Sequence, residues 1–284
     1  MIAPKGKLIP IGGSENKDCR ERGDCPLSFY NRGILKRLLA EMKGGESRLE
    51  LVPTASGIPE DVSRRYLEAF RKLGCGNVGI LPVRDRADAL KPEYTERINK
   101  ADGVFFTGGD QSRLSEVFCG TEFATTLAGR YLNSEFVIAG TSAGAMAMSG
   151  TMITGGPASS FKKGDVEMGA GLSFIDHVII DTHFIERGRY GRLTQAVAAL
   201  PGCIGIGLGE DTGLVISHNN DIEVIGSGQV ILFDGHAMHL PDAAPASSGI
   251  SSSIENMTVH VLAVDDKYCL TSRAFAHDEA ALAS

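Results

Sequence analysis

The chain has 284 residues, of which 43% are apolar and 35 are glycine, and a formal charge of -7. The composition argues for a packed α/β core with tight strand-to-helix turns and against extended disorder, and the length suits one domain over residues 1–284, built around one continuous sheet. The acidic surplus, with no long Lys/Arg block, argues against nucleic acid as a partner, and no apolar run reaches membrane-spanning length.

Short apolar runs ending in Gly or Thr alternate with helical patterns, as in a parallel sheet covered on both faces. Lys7–Ile11 reads as the first strand, turned by Gly12-Gly13, and Leu27–Met42 as the first helix. Strand Leu49–Pro53, a helix after Pro59, strand Val78–Leu81 and helix Pro92–Lys100 follow. Strand Gly103–Phe106 runs into Thr107-Gly108-Gly109-Asp110-Gln111, and Leu114–Leu132 reads as a helix divided near Gly120. Strand Phe136–Ala139 reaches Gly140-Thr141-Ser142-Ala143-Gly144, after which Ala143–Met148 reads as a helix of small residues. Strand Asp176–Thr182, helix Arg187–Leu200 and strand Ile204–Leu208 come next. Then Val215–Ser217, Ile222–Ile225 and Val230–Phe233, joined by Asn219-Asn220 and Gly226-Ser227-Gly228, read as antiparallel hairpins at the sheet edge. Asp242–Ser253 reads as a surface loop and Val259–Val264 as a last strand.

The first seven residues carry no basic segment followed by a long apolar one, which predicts a cytoplasmic protein. Cys19, Cys25, Cys75, Cys119, Cys203 and Cys269 contain no C-x-x-C pair, so free thiols are expected rather than a zinc site or a disulfide framework.

The chemistry centres on Ser142. A G-x-S-x-G turn between an apolar strand and a helix of small residues lifts a hydroxyl clear of the backbone, beside the positive end of the helix. A serine at neutral pH needs a base, and the base an orienting acid. Of the seven histidines, His183 closes an apolar strand at the edge that also presents Ser142. Glu210, after strand Ile204–Leu208, is the preferred acid; Asp211 is its neighbour and rival, and Asp181, two residues from His183, is placed to face the imidazole or the substrate. The amide of Ala143 and one from Gly108-Gly109 suit an oxyanion hole, with Gln111 near the same pocket; alternatively Asp110 or Ser112 is simply a helix cap. Arg187, Arg189 and Arg192 stand where guanidinium groups would clamp carboxylates.

Taken together, these blocks resemble the cyanophycinases, of the serine peptidase family that also holds the aspartyl dipeptidases. The match runs from Gly6-Lys7-Leu8 through Thr107–Gln111, Gly140–Ala145 and Asp181–Arg192 to Gly205–Thr212. The resemblance implies an α/β fold like that of class I glutamine amidotransferases, a doubly wound, mostly parallel sheet. It implies Ser142 as nucleophile, His183 as base and Glu210 as third member, with Gln111, Asp181, Arg187, Arg189 and Arg192 lining the substrate site of a homodimer that uses no metal or cofactor. The substrate it implies is cyanophycin, a poly-aspartate bearing arginine on its side-chain carboxyls, cut to β-Asp-Arg. An aspartyl dipeptidase and a weakly active cyanophycin-binding homologue are the other readings. Thr182 departs from the pattern, since cyanophycinases typically carry Gln between this Asp and His.

Overall fold

The computed structural model describes residues 3–17, 29–159, 161–218, 220–239, 251 and 253–276. Cys19, Cys25, the start of the expected first helix at Leu27, Asn219 and nearly all of the expected loop 242–253 lie outside the described residues.

Five runs rich in aliphatic and aromatic residues form parallel strands: β1 Lys7–Ile11, β2 Leu49–Val52, β3 Val78–Ile80, β4 Gly103–Phe106 and β5 Val137–Thr141. Strands β2, β4 and β5 are buried along their whole length, with no alternation, because helices cover both faces. Those helices are α1 Ile34–Ala40, α2 Pro59–Lys72, α3 Arg86–Ala89, α4 Pro92–Lys100, α5 Gln111–Phe118 and α6 Glu122–Asn133. Helix α1 begins later than its apolar spacing suggests, because Gly33 holds an extended conformation immediately before it. The α5–α6 division falls at Gly120, whose φ of +70 suits a residue without Cβ.

The second half departs from the expected order. Helix α7, Ala143–Met146, is a single turn, and the chain goes straight into an unforeseen hairpin, β6 Thr151–Gly155 with β7 Glu167–Ala170. Strand β8 Val178–Asp181, helix α8 Tyr190–Ala199 and parallel strand β9 Ile204–Leu208 follow. Next come β10 Thr212–Ser217, β11 Asp221–Gly226, β12 Val230–Asp234, β13 Thr258–Leu262, β14 Lys267–Cys269 and β15 Ala274–Phe275.

These strands do not make one continuous sheet. A nine-stranded sheet runs β15-β14-β11-β10-β1-β5-β4-β2-β3, and a separate four-stranded sheet runs β13-β12-β9-β8. The physical reason lies at β1: β5 takes one of its edges and antiparallel β10 takes the other, so β8 and β9 cannot join there. The β10–β11 hairpin is as expected, but the Gly226-Ser227-Gly228 link carries the chain across to the second sheet, where β12 pairs with β9. One apolar core spans both sheets, with Leu8, Ile138 and Leu214 of the larger and Ile180, Ile206 and Leu232 of the smaller all fully buried. Ala143, Ala145 and Ala147 belong to the same core, so the serine turn sits between the two sheets.

Candidate active site

Ser142 has φ 52 and ψ -113, a conformation that costs a non-glycine residue about 1–3 kcal/mol and survives only where the surroundings impose it. The surroundings here are tight. A Cβ on Gly140 would lie 2.6 Å from the Gly144 carbonyl, and one on Gly144 would meet Phe106, so both flanking positions need glycine for the chain to fold back on itself. The Ser142 amide donates to the Ile11 carbonyl at 2.9 Å, which fixes the turn to the end of β1.

The same strand end positions the other two residues. The Gly12 carbonyl accepts the amide of His183 at 2.8 Å, and the Gly13 carbonyl accepts that of Asp211 at 2.9 Å. His183 and Asp211 both have positive φ, 47 and 48, so each turns sharply after its strand. Through these three anchors the smaller sheet delivers its side chains to the serine of the larger one. His183 Nε2 stands 3.0 Å from Ser142 Oγ, and His183 Nδ1 stands 2.7 Å from Glu210 Oε1. With Nδ1–H donating to the carboxylate, Nε2 is the acceptor for the serine hydroxyl. The rivals of Glu210 are occupied elsewhere. Asp211 accepts the Asn16 amide at 2.8 Å and the Ser227 hydroxyl at 2.6 Å.

Residues 23–225 match Peptidase family S51. The chain belongs to that family. It is 33% identical to the cyanophycinase of Geminocystis herdmanii over 93% of each chain. It is 32% identical to the cyanophycinase of Trichormus variabilis over 95% of this chain and 88% of that one. The crystal structure of a peptidase from an acI-B1 Actinobacterium shares the fold, with a TM-score of 0.66 at 21% identity, covering 95% of this chain and 98% of its own. The S51 chain is a serine-type peptidase, and no helix of its described residues is long and apolar enough to cross a membrane.

Around this centre the S51 peptidase turns two of its three arginines, Arg189 and Arg192, inward. Asp181 is wholly buried, and its carboxylate accepts Arg189 Nη1 at 3.0 Å, Arg192 Nε at 2.6 Å, Arg192 Nη2, and the Thr182 amide at 2.8 Å. Arg192 is itself only 7% exposed. Burial pulls the Arg189 guanidinium below its ordinary value, Asp181 opposing and Arg192 and Arg187 adding to the fall. Asp181, Arg189 and Arg192 are thus committed to one another, and of the three arginines only Arg187 is exposed. Thr182 is fully buried with no partner for its hydroxyl among the described residues. Gln111 donates through Nε2 to the Ile153 carbonyl at 2.8 Å, tying α5 to β6, and Asp110 caps α5 by accepting the Ser112 amide at 2.9 Å.

The loop before α5 lies against the serine. A Cβ on Gly108 would sit 3.4 Å from Ser142 Cβ, and one on Gly109, at φ +146, would overlap the Ala55 carbonyl. Gly108 thus brings the loop before α5 up to the nucleophile, which Ala143 follows directly in the chain.

A cleft of about 240 Å³ opens on Ser142 and His183, and part of its wall has no counterpart in the sequence reading: Glu15, Lys17, Arg65 and Tyr66. Glu15 is 3% exposed and accepts the Tyr66 hydroxyl, the Thr141 hydroxyl at 2.7 Å and the Lys17 ammonium at 3.1 Å. Burial alone would raise its pKa; Lys17 and the Tyr66 and Thr141 hydroxyls outweigh that and hold the carboxyl below its usual range. The only sequence signal was a glutamate just past a Gly-Gly turn, a position where glutamate is ordinarily solvated.

Proposed function

We propose that this S51 peptidase is an exopeptidase acting on cyanophycin, multi-L-arginyl-poly-L-aspartate, and releasing β-Asp-Arg dipeptides through an acyl-enzyme on Ser142. The observation that carries the reading is the hydrogen-bonded series from Ser142 Oγ through the His183 imidazole to Glu210, at 3.0 and 2.7 Å.

In this mechanism Ser142 Oγ attacks the scissile carbonyl while His183 Nε2 takes its proton. Glu210 holds Nδ1 protonated and offsets the imidazolium charge. The carbonyl electrons move onto oxygen, which the amides of Gly109 and Ala143 stabilise, each such donor contributing about 10²–10³ in rate. Collapse breaks the C–N bond, and Nε2 returns the proton to the departing amine. Water then gives a proton to His183 and attacks the ester, and the second collapse releases the carboxylic acid and restores the serine hydroxyl.

In our reading Arg187, exposed at the mouth, meets aspartyl carboxylates of the polymer. Gln111, Asp181, Thr182, Arg189 and Arg192 shape the adjoining wall, the buried ion triad acting by holding the backbone on either side of His183. The same reading takes the architecture as that of class I glutamine amidotransferases and the protein as cytoplasmic and homodimeric; light scattering on purified protein tests the dimer.

Incubation with purified cyanophycin should release soluble β-Asp-Arg, detected by mass spectrometry, and Ser142→Ala should abolish it; release by that variant at the wild-type rate refutes the mechanism. An aspartyl dipeptidase is the second reading, favoured by the small volume of the cleft, about 240 Å³. Faster turnover of free aspartyl dipeptides than of polymer in the same assay would select it.

A further inference from the structure

The cleft beside Ser142 carries positive charge that the catalytic series does not use. Lys17 and Arg65 both line it with Ser142 and His183. Lys17 is held in place: its ammonium stands 3.1 Å from Glu15 Oε1 and 3.3 Å from the Glu15 carbonyl, and it lies 4.6 Å from the centroid of the Tyr66 ring. An ammonium has three donors, so one N–H of Lys17 is left for the cleft. Arg65, on α2, is exposed and makes no hydrogen bond or ion pair among the described residues. Glu15 is ionised and cancels one of these two cations, so the wall keeps a surplus of one positive charge facing the space beside the serine.

We propose that Lys17 and Arg65 form a carboxylate-binding subsite that takes the free α-carboxylate of the arginine in β-Asp-Arg. This rests on the reading of the site as one for β-aspartyl-arginine peptides. The chemistry fits on three counts. A planar guanidinium offers the bidentate pairing a carboxylate accepts. The third donor of Lys17 supplies a further charge-assisted bond from an ammonium already immobilised by Glu15 and Tyr66, so little side-chain freedom is lost on binding. Finally, Asp181 already accepts the guanidinium groups of the half-buried Arg189 and the buried Arg192, so those two are engaged internally. The subsite is a specificity device: it selects a substrate whose branch ends in a carboxylate and holds that branch while Ser142 attacks the main-chain carbonyl.

Calorimetric titration separates this proposal from the hydrolysis reading. The protein is Ser142→Ala, which holds ligand without turnover, with and without Arg65→Gln, and the probes are β-Asp-Arg and its arginine-amide analogue. The expected result is that Arg65→Gln weakens β-Asp-Arg by at least about tenfold, the range for losing a charge-assisted pair. The amide analogue should bind the parent as weakly as β-Asp-Arg binds the variant and be indifferent to the substitution, and Arg65→Lys should restore part of the loss. Equal binding of β-Asp-Arg and its amide by the parent, no effect of Arg65→Gln, or no binding of either probe overturns the subsite. Hydrolysis of cyanophycin by the wild-type protein is a separate measurement: its failure refutes the activity, while binding that discriminates the two probes would still support the subsite.

Discussion

Gly13 and the imidazole of His183 are in such close contact that a Cβ on Gly13 would overlap Cε1 and Nε2 and lie 3.1 Å from Nδ1. The glycine also has φ +104, a region that residues with a side chain rarely enter. The turn after β1 therefore does more than reverse the chain: it is the surface against which the imidazole is seated between Ser142 and Glu210. Gly13→Ala should push the ring off both partners, lowering kcat by about 10²-fold, the loss typical of an ångström-scale misplacement, with KM less affected. Steady-state kinetics alongside circular dichroism checks this, and a folded variant with wild-type kcat would contradict it.

Glu15 makes the protein sensitive to acid. Its carboxyl sits below the usual 4.5 in the folded chain, because Lys17 and the Tyr66 and Thr141 hydroxyls overcome the cost of burial. A carboxyl with a depressed folded-state pKa contributes its full stabilisation above the unfolded value, and loses it as pH falls from there through the folded value. Urea unfolding between pH 7 and pH 3 should show stability dropping below about pH 4.5. Glu15→Gln should be less stable at pH 7 by about 1–3 kcal/mol, with the gap closing on acidification. A constant gap across that range would show that ionisation of Glu15 is not what stabilises this corner.

The parallel half of the fold was legible because β2, β4 and β5 are short, largely apolar runs buried along their whole length, interrupted in β2 only by Glu50, and each ends at or near a glycine or threonine. The β6–β7 hairpin was not, since Glu167–Ala170 holds no β-branched residue and is largely exposed. Nor was the split into two sheets. Both β10 and β12 read as hairpin strands, and which sheet each joins depends on the open edge of β1, a long-range relationship that no local pattern encodes. Ser142, His183 and Glu210 were legible as residues just beyond strand ends. The inward turn of Arg189 and Arg192 was not, because their spacing from Asp181 serves equally for a pocket facing a ligand and for a buried triad. Glu15, Lys17 and Arg65 come together only through the path of the loop after Gly13 over helix α2.

Thr182, which differs from the glutamine typical of cyanophycinases, lies at a fully buried position where its hydroxyl finds no partner among the described residues. Its backbone is committed on both sides, the amide to Asp181 and the carbonyl to Arg189. A buried hydroxyl without a partner keeps its desolvation cost uncompensated, so Thr182→Val, of the same shape, should leave stability equal or raise it by about 1 kcal/mol. Thr182→Gln must fit a longer amide into the same packed space and should cost about 1–3 kcal/mol. Denaturant midpoints of both variants decide this. Marked destabilisation by valine would mean that the hydroxyl is satisfied in solution.

Asp181 distinguishes a structural ion triad from a substrate contact. Its carboxylate is the common acceptor of the buried Arg192 and the half-buried Arg189 guanidinium groups, and it also takes the amide of Thr182, next to His183. Removing one member of a buried ion pair leaves uncompensated charge, which typically costs about 3–5 kcal/mol. Asp181→Asn keeps the size and removes the charge, so it should lower the denaturation midpoint by a large fraction of the total stability. Replacing Asp181 and Arg192 together, as Asn and Leu, should recover part of that loss, because one of the stranded guanidinium groups is gone. A direct substrate contact behaves otherwise: the single variant would then raise KM at an unchanged midpoint, and the double variant would be no more stable than the single. Thermal or urea unfolding of the two variants, read beside their KM values, tells the two roles apart.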